Sequence, residues 1–411
     1  MRIAIATAVY YPMINGVAVF SHNLAVGLAA RGHEVMVLTP SQDKKYHVEV
    51  LDGVKTVYLK SKDIKVYPDQ IHEVPRKKRI FYKHGLKASI FPFAQIQKAL
   101  HEFSPDVIHV QVSDPIGIAV VRYARRHQIP VVMTEHNQAE VLTEPLHIPS
   151  VMRKPINKMF SAYFRNRQKK SDYVTMPTKL AIDHLIGKRD LGVPIEAVSN
   201  GVDLTSFKPG KADISIYNKY DIPRDVPMLL YVGRVDPEKK IGVILKAFAN
   251  FLSKHKLGKL SKTLLLIVGD GVDKKRLKKM ASTLGIAESV KFLGRVMPPD
   301  LYEIYKIGDA FLTASDVETQ GIVLIEAAAT GLPLIAVSAG AVAEICRDKE
   351  NGYLLQPGDD LGMSEAIFKI LSNNDLRKKM SQNSIKIAYE HDLQKTIDKF
   401  IEIYQKVCYN S

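Results

Sequence analysis

The chain has 411 residues, 46% of them hydrophobic, and 58 Lys and Arg against 43 Asp and Glu give a net charge of +15. That length exceeds one ordinary domain and fits two of about 200 residues, while the apolar fraction excludes wholesale disorder. Two cysteines, Cys346 and Cys408, exclude a disulfide framework and any paired Cys/His zinc pattern, which fits a reducing, cytoplasmic setting.

Arg2–Thr7 is an alternating apolar run that enters the loop Tyr10-Tyr-Pro-Met-Ile-Asn-Gly16 without a basic leader or a cleavage site. It predicts a strand rather than a signal peptide. A helix is expected from Val17 to Arg31, stopped by Gly32. Gly16 at its start lets a backbone approach a phosphate or sugar closely. Further strands are predicted at Glu34–Thr39, Asp106–Val110, Pro130–Thr134, Tyr173–Met176 and Glu196–Ser199. His136 follows Met133-Thr-Glu at the carboxyl end of one of them, where open parallel sheets bind ligands. Alone, such a residue is more often a hydrogen-bonded structural histidine.

The basic excess is concentrated in this half. Residues 1–200 hold 28 Lys and Arg against 17 Asp and Glu, the remainder 30 against 26. An anionic partner for the first half is one reading; a surface excess with no specific partner is the other. Arg76, Lys77, Lys78 and Arg79 run directly into Phe81 and Tyr82, a mixture suited to a headgroup interface. Ile156, Met159, Phe160, Tyr163 and Phe164 fall on one helical stripe, with Lys158, Arg165 and Lys169 on the opposite side. That helix reads either as a core element with a solvated basic back or as an attachment to anionic lipid. No nucleic-acid recognition motif is present.

Pro209-Gly210 interrupts the periodicity, and strands restart at Met228–Val232, Thr263–Val268, Val290–Phe292, Ala310–Thr313, Leu334–Val337 and Tyr353–Leu355. Helices are expected at Gly242–His255, Leu376–Glu390 and Leu393–Val407. The longest uncharged run, between Glu326 and Glu344, is broken by Gly331, Pro333 and Gly340, so no transmembrane helix is expected. The alternation of strands and helices implies an α/β class with two doubly wound parallel sheets, residues 1–205 and 206–390, and a ligand cleft between them.

Two loops of the second half carry candidate chemistry. In Gly233-Arg234-Val-Asp-Pro-Glu-Lys239, two cations project from one loop and suit a diphosphate. In Glu318-Thr-Gln320-Gly321-Ile322-Val323-Leu-Ile-Glu326, a strand runs into a helix whose free N–H groups would meet an anion. Glu318 could reach a sugar hydroxyl there, and Glu326 a ribose.

In their order these segments resemble the large retaining glycosyltransferase family, family four of the sugar-nucleotide-dependent enzymes, with the GT-B fold of two Rossmann-like domains. The resemblance runs from Asn15-Gly-Val through Asp106-Val-Ile-His109-Val, Asn200-Gly-Val-Asp203, Gly233-Arg-x4-Lys239 and Val268-Gly-Asp-Gly271. It ends in Glu318-Thr-Gln-Gly-x4-Glu326-Ala-x3-Gly331-Leu-Pro333. It implies that the first domain takes the acceptor and the second the nucleotide sugar, and that residues 391–411 pack back on the first. Arg234 and Lys239 would hold the donor diphosphate, Glu326 the ribose and Glu318 the sugar near its 3-hydroxyl. Gln320, Gly321, Ile322 and Val323 would offer N–H groups to sugar and phosphate. Gly16 would line the sugar-phosphate, and His136 would touch the sugar near the reacting centre. Asp270 would stand behind them. Many relatives have two adjacent glycines in the first loop; here Asn15 precedes Gly16.

No Asp-x-Asp occurs, so the resemblance points to a site with neither metal nor cofactor, in which protein cations and a helix start stabilise the leaving diphosphate. It implies retention by front-face attack. Ser315-x-x-Glu318-Thr-Gln-Gly321 and the basic first domain look most like the branch that glucosylates diacylglycerol. That implies a UDP-glucose donor, a membrane lipid acceptor, an anionic membrane surface as partner, and a peripheral place on the inner face of the cell membrane. A GDP-mannose-dependent enzyme acting on phosphatidylinositol or a polysaccharide, and a sugar-nucleotide epimerase of the same fold, are the alternatives. A Rossmann dehydrogenase is disfavoured because Lys274 stands where a third glycine would.

Overall fold

The computed structural model describes residues 1–11, 13, 15–63, 87–89, 92–111, 114–136, 150–187, 190–316 and 318–409. The chain divides into two compact units, Met1–Gly201 with Leu393–Ser411, and Val202–Asp392.

In the first unit the strands of the main sheet are β1 (Arg2–Ala6), β2 (Glu34–Pro40), β3 (His47–Leu51), β4 (Val54–Leu59), β5 (Val107–Val110), β6 (Val131–Thr134), β7 (Tyr173–Met176) and β8 (Ile195–Ala197). They form one sheet in the order β8-β7-β6-β5-β1-β2-β4-β3. Every neighbouring pair is parallel except β3 with β4. The expectation of purely parallel sheets is corrected at this edge. Asp52 and Gly53, both with positive φ, close a hairpin that sends β3 back along β4.

Parallel strands covered on both faces need apolar side chains in both directions, and β5, β6 and β7 are buried throughout. One face is covered by helix α1 (Gly16–Ala30), whose Phe20, Leu24 and Leu28 pack against Ile3 and Val37. The other is covered by α2 (Phe93–Phe103) and α3 (Pro115–Arg126) through Ile96, Leu100, Ile116 and Val120. Beyond them, α4 (Ser150–Gln168) and α5 (Lys179–Ile186) share a small cluster around Phe164, Met176 and Leu185.

The second unit contains β9 (Met228–Val232), β10 (Leu264–Val268), β11 (Val290–Gly294), β12 (Ala310–Leu312), β13 (Leu334–Val337) and β14 (Gly352–Leu355). Their order is β11-β10-β9-β12-β13-β14, all parallel. Helices α6 (Ile241–Lys254), α7 (Asp300–Ile307), α8 (Ile322–Ala329), α9 (Asp360–Ser372) and α10 (Asn374–Tyr389) flank the sheet. Phe248, Phe251 and Ile367 fill one face, and Tyr305, Leu324 and Ile325 the other.

The last helix, α11 (Leu393–Tyr409), belongs to the first unit. Its Ile397, Phe400 and Tyr404 are fully buried in the cluster of α1. Both sheets are therefore doubly wound and Rossmann-like, with helices on each face.

Candidate active site

A doubly wound sheet binds ligands outside the carboxyl ends of the two strands at which its order reverses. In the second unit these are β9 and β12. The chain leaves β9 into Gly233–Lys239 and leaves β12 toward Glu318–Ile322, so the fold brings together the two loops singled out in the sequence.

The first loop is clamped from beneath. A Cβ on Gly269 would lie 1.8 Å from the Gly233 carbonyl oxygen, and Gly269 has φ +129. Only glycine permits that approach. Val235 N–H donates to the Asp270 carbonyl and Asp273 N–H to the Val235 carbonyl. The Val268-Gly-Asp-Gly271 segment thus holds the backbone from which Arg234 projects. The Asp270 side chain itself lies 3.5 Å from Lys274.

Arg234 donates to the carboxylates of Asp236 and Glu238. Asp236 is buried and also accepts from Val272 N–H at 3.2 Å. Lys239 Nζ donates to Glu318 Oε1 at 2.6 Å, and both side chains are less than one-fifth exposed. The two predicted diphosphate cations and the predicted sugar-binding carboxylate therefore lie on the loops that leave the adjacent strands β9 and β12.

Gly321 has φ +77 and turns the chain into α8 with no side chain capping it. Leu324 N–H is taken by the Gly321 carbonyl, and the first-turn N–H groups of Ile322 and Val323 face an uncapped helix end. Gln320 is buried beside them. One turn into α8, Glu326 Oε2 accepts from the Tyr305 hydroxyl at 2.6 Å. Its carboxyl group is enclosed, and burial pushes its pKa up to about 7 against the opposing pull of that hydrogen bond.

In the first unit the order reverses between β1 and β5. Asn15 caps α1, its side chain accepting from Ala18 N–H at 2.9 Å. The departure from a double glycine is thus a helix cap placed directly before Gly16. His136 lies just beyond β6, buried, with its ring edge against Phe20. Its Nε2 donates to Gln111 Oε1 at 2.7 Å, and burial lowers its pKa to about 3, so the ring is neutral. Beneath it, His109 bonds the Tyr404 hydroxyl through Nδ1 at 2.6 Å and Thr134 Oγ1 through Nε2 at 2.7 Å. Gln111, Asp236 and Tyr305 escaped the sequence reading. Each orients a predicted site residue, and only Asp236, two positions from Arg234, lay inside a recognised motif.

The predicted membrane residues divide. Arg76, Lys77, Lys78, Arg79, Phe81 and Tyr82 lie outside the described residues. On α4, Phe160 and Phe164 join the core whereas Met159 and Tyr163 are exposed. The apolar stripe is thus divided between a part packed on Met176 and Leu185 and a part open to solvent. Lys158 is exposed, Arg165 is half-buried and donates to the Leu185 carbonyl at 3.2 Å, and Lys169 follows the helix end. Among the described residues no helix is long and apolar enough to cross a membrane.

Comparison with known proteins places this geometry. Residues 14–206 match the family described as Glycosyltransferase Family 4, and residues 214–387 match Glycosyl transferases group 1. An alpha-monoglucosyldiacylglycerol synthase of Streptococcus pneumoniae is 26% identical over 99% of this chain and 90% of its own. A GDP-mannose-dependent alpha-mannosyltransferase of Mycobacterium tuberculosis is 27% identical over 87% of this chain and 85% of its own. The crystal structure of Anabaena HepE, in complex with UDP and glucose, superposes with TM-score 0.73 at 16% identity, covering 98% of this chain and 99% of that one. With both halves matched in succession on two Rossmann-like units, the chain belongs to the family-four glycosyltransferases of the GT-B fold and is a nucleotide-sugar-dependent hexosyltransferase.

Proposed function

We propose that this hexosyltransferase moves glucose from UDP-glucose to a membrane lipid such as 1,2-diacylglycerol, forming an alpha-glycosidic bond with retention. The observation that carries the donor half is the placement of Arg234, Lys239 and the uncapped start of α8 on the loops after two adjacent strands, joined by the Lys239–Glu318 pair. The acceptor half rests on the likeness to the streptococcal glucosyldiacylglycerol synthase along nearly the whole chain.

In this reading Arg234 and Lys239 hold the donor diphosphate, and the N–H groups from Gln320 to Val323 complete its cradle. As the glycosidic C–O bond breaks, charge accumulates on the diphosphate and each of these donors gains in strength, which is the differential binding that catalysis requires. No metal is needed for that step. Glu326 accepts from the ribose. Glu318 exchanges its ion pair with Lys239 for a hydrogen bond to the sugar. His136 is neutral and its Nε2 is committed to Gln111, so it serves as an acceptor through Nδ1 rather than as a general acid. Gly16 takes the sugar-phosphate. The leaving phosphate oxygen deprotonates the acceptor hydroxyl on the same face.

Lys158, Lys169 and the basic segment at 76–82 attach the enzyme to anionic lipid on the inner face of the cell membrane. Exposed Met159 and Tyr163 on α4 support such a contact. The test is an assay with UDP-glucose or GDP-mannose, each with diacylglycerol, phosphatidylinositol or no acceptor, read by product anomer. Alpha-glucosyldiacylglycerol from UDP-glucose alone is expected. A mannosyl product, or an epimerised donor in the absence of acceptor, contradicts the reading.

A further inference from the structure

A cationic concavity stands apart from the carboxyl ends of the strands. Along one side of α3, Ile118, Val121, Arg122, Arg125 and Arg126 recur at i, i+3, i+4, i+7 and i+8, with Val121 at the edge of the core and the three arginines exposed. Together with Arg167 and Lys170, where α4 ends, they line a cavity of about 310 Å³. That volume suits a small ligand. Arg125 and Arg126 close α3 just before β6 begins, which places them at the amino ends of the strands, opposite to His136.

Five cations line this cavity and no carboxylate does. None of the five pairs with an acidic side chain among the described residues. Their positions are fixed by other means. Arg125 Nε donates to the Lys170 carbonyl at 3.2 Å, the Arg122 guanidinium lies 5.5 Å from the Phe93 ring centre, and that of Arg167 lies 5.6 Å from the Tyr163 ring centre. Cations in a last turn also offset a helix dipole, which accounts for Arg125, Arg126 and Arg167 one at a time. It does not account for Arg122 a turn earlier, for Lys170 beyond a helix, or for the convergence of two helices on one concavity. Like charges that line one hollow are eased when an anion joins them, and planar guanidinium groups match phosphate oxygens in pairs. Ile118 and Val121 give the cavity an apolar wall beside its charged one.

We propose that this cavity binds a phosphate mono- or diester whose carbon substituent rests on Ile118 and Val121, at a site separate from the donor site. The chemistry fits a free phosphomonoester and a phospholipid headgroup alike, and two arms of one experiment separate them. The full-length protein, with UDP present to fill the donor site, is titrated calorimetrically with glycerol 3-phosphate. In parallel it is floated with phosphatidylcholine vesicles that contain or lack phosphatidic acid. Wild type is compared with the Arg122→Gln/Arg126→Gln/Arg167→Gln variant, whose fold is checked by thermal melting. Should that variant melt early, R122Q/R126Q, both on the exposed face, replaces it. A loss of about tenfold in affinity in at least one arm is expected. Dependence in the calorimetric arm assigns a soluble ligand, and dependence in the vesicle arm a headgroup. Absence of wild-type binding to both probes, or a change below about threefold in both arms, overturns the site.

Discussion

Lys239 Nζ lies 2.6 Å from Glu318 Oε1, so a cation after β9 and a carboxylate after β12 close an ion pair across the point where the second sheet reverses its strand order. Both side chains are largely buried. Removal of either partner leaves a poorly solvated charge, and Lys239→Ala or Glu318→Ala is expected to destabilise the second unit by about 1.5–3 kcal/mol. The double variant should lose less than the sum, because the stranded charge is gone. Turnover should not recover with it, since the proposed diphosphate and sugar contacts are both missing. Urea melts and initial rates on the four proteins check this; recovery of turnover in the double variant contradicts the assignment.

Arg234 is held by Asp236 and Glu238 on a loop fixed by Gly269. Arg234→Ala is expected to lower kcat by about 10²–10³-fold, the usual effect of losing one preorganised donor to developing charge. Its melting curve should shift less than that of Lys239→Ala, because the guanidinium is nearly half exposed and the buried Asp236 keeps the Val272 N–H. Asp236→Asn should act in the same direction and more weakly, through a less well oriented Arg234.

The carboxyl of Glu326, with a pKa raised to about 7, binds its proton more tightly folded than unfolded. Its contribution to stability is therefore fully present below the ordinary value of 4.5 and is lost as pH rises through about 7. Donor binding runs the other way. The ionised carboxylate is the better acceptor for ribose hydroxyls, so UDP affinity should rise with pH through that range. Glu326→Gln should flatten both profiles, as read by denaturant midpoints and calorimetry.

His109 and His136 are buried and neutral, each with a pKa lowered to about 3. Their contribution is present above the ordinary value of 6.5 and is lost as pH falls toward 3. The first unit should thus lose stability on acidification where Glu326 helps the second, a difference that hydrogen exchange resolved by unit can read. Tyr404→Phe removes the 2.6 Å bond to His109 Nδ1, leaving only the Gln111 Nε2 contact at 3.4 Å, and should cost the first unit about 1–3 kcal/mol.

Periodicity alone disclosed the α/β class, because strands such as Met228–Val232 and Leu334–Val337 are continuous apolar runs buried on both faces. It missed β3 and β4, although Asp52-Gly53 between two alternating runs is a hairpin signal. The reading followed continuous apolar runs, whereas β3 mixes polar residues with Val48 and Val50, which are exposed at the sheet edge. Of the candidate site, the residues meant to meet ligand stood in motifs. Those that orient them did not, because Gln111 and Tyr305 act across strands and helices whose packing no spacing reveals.

In the proposed mechanism the second unit grips a pyrophosphate through Arg234, Lys239 and the start of α8. Calorimetric titration of UDP and of uridine, against wild type and Arg234→Ala/Lys239→Ala, isolates the diphosphate increment to binding. The account predicts that wild type binds UDP far more tightly than uridine and that the double variant loses this preference. A preference for UDP that survives in the variant would contradict it.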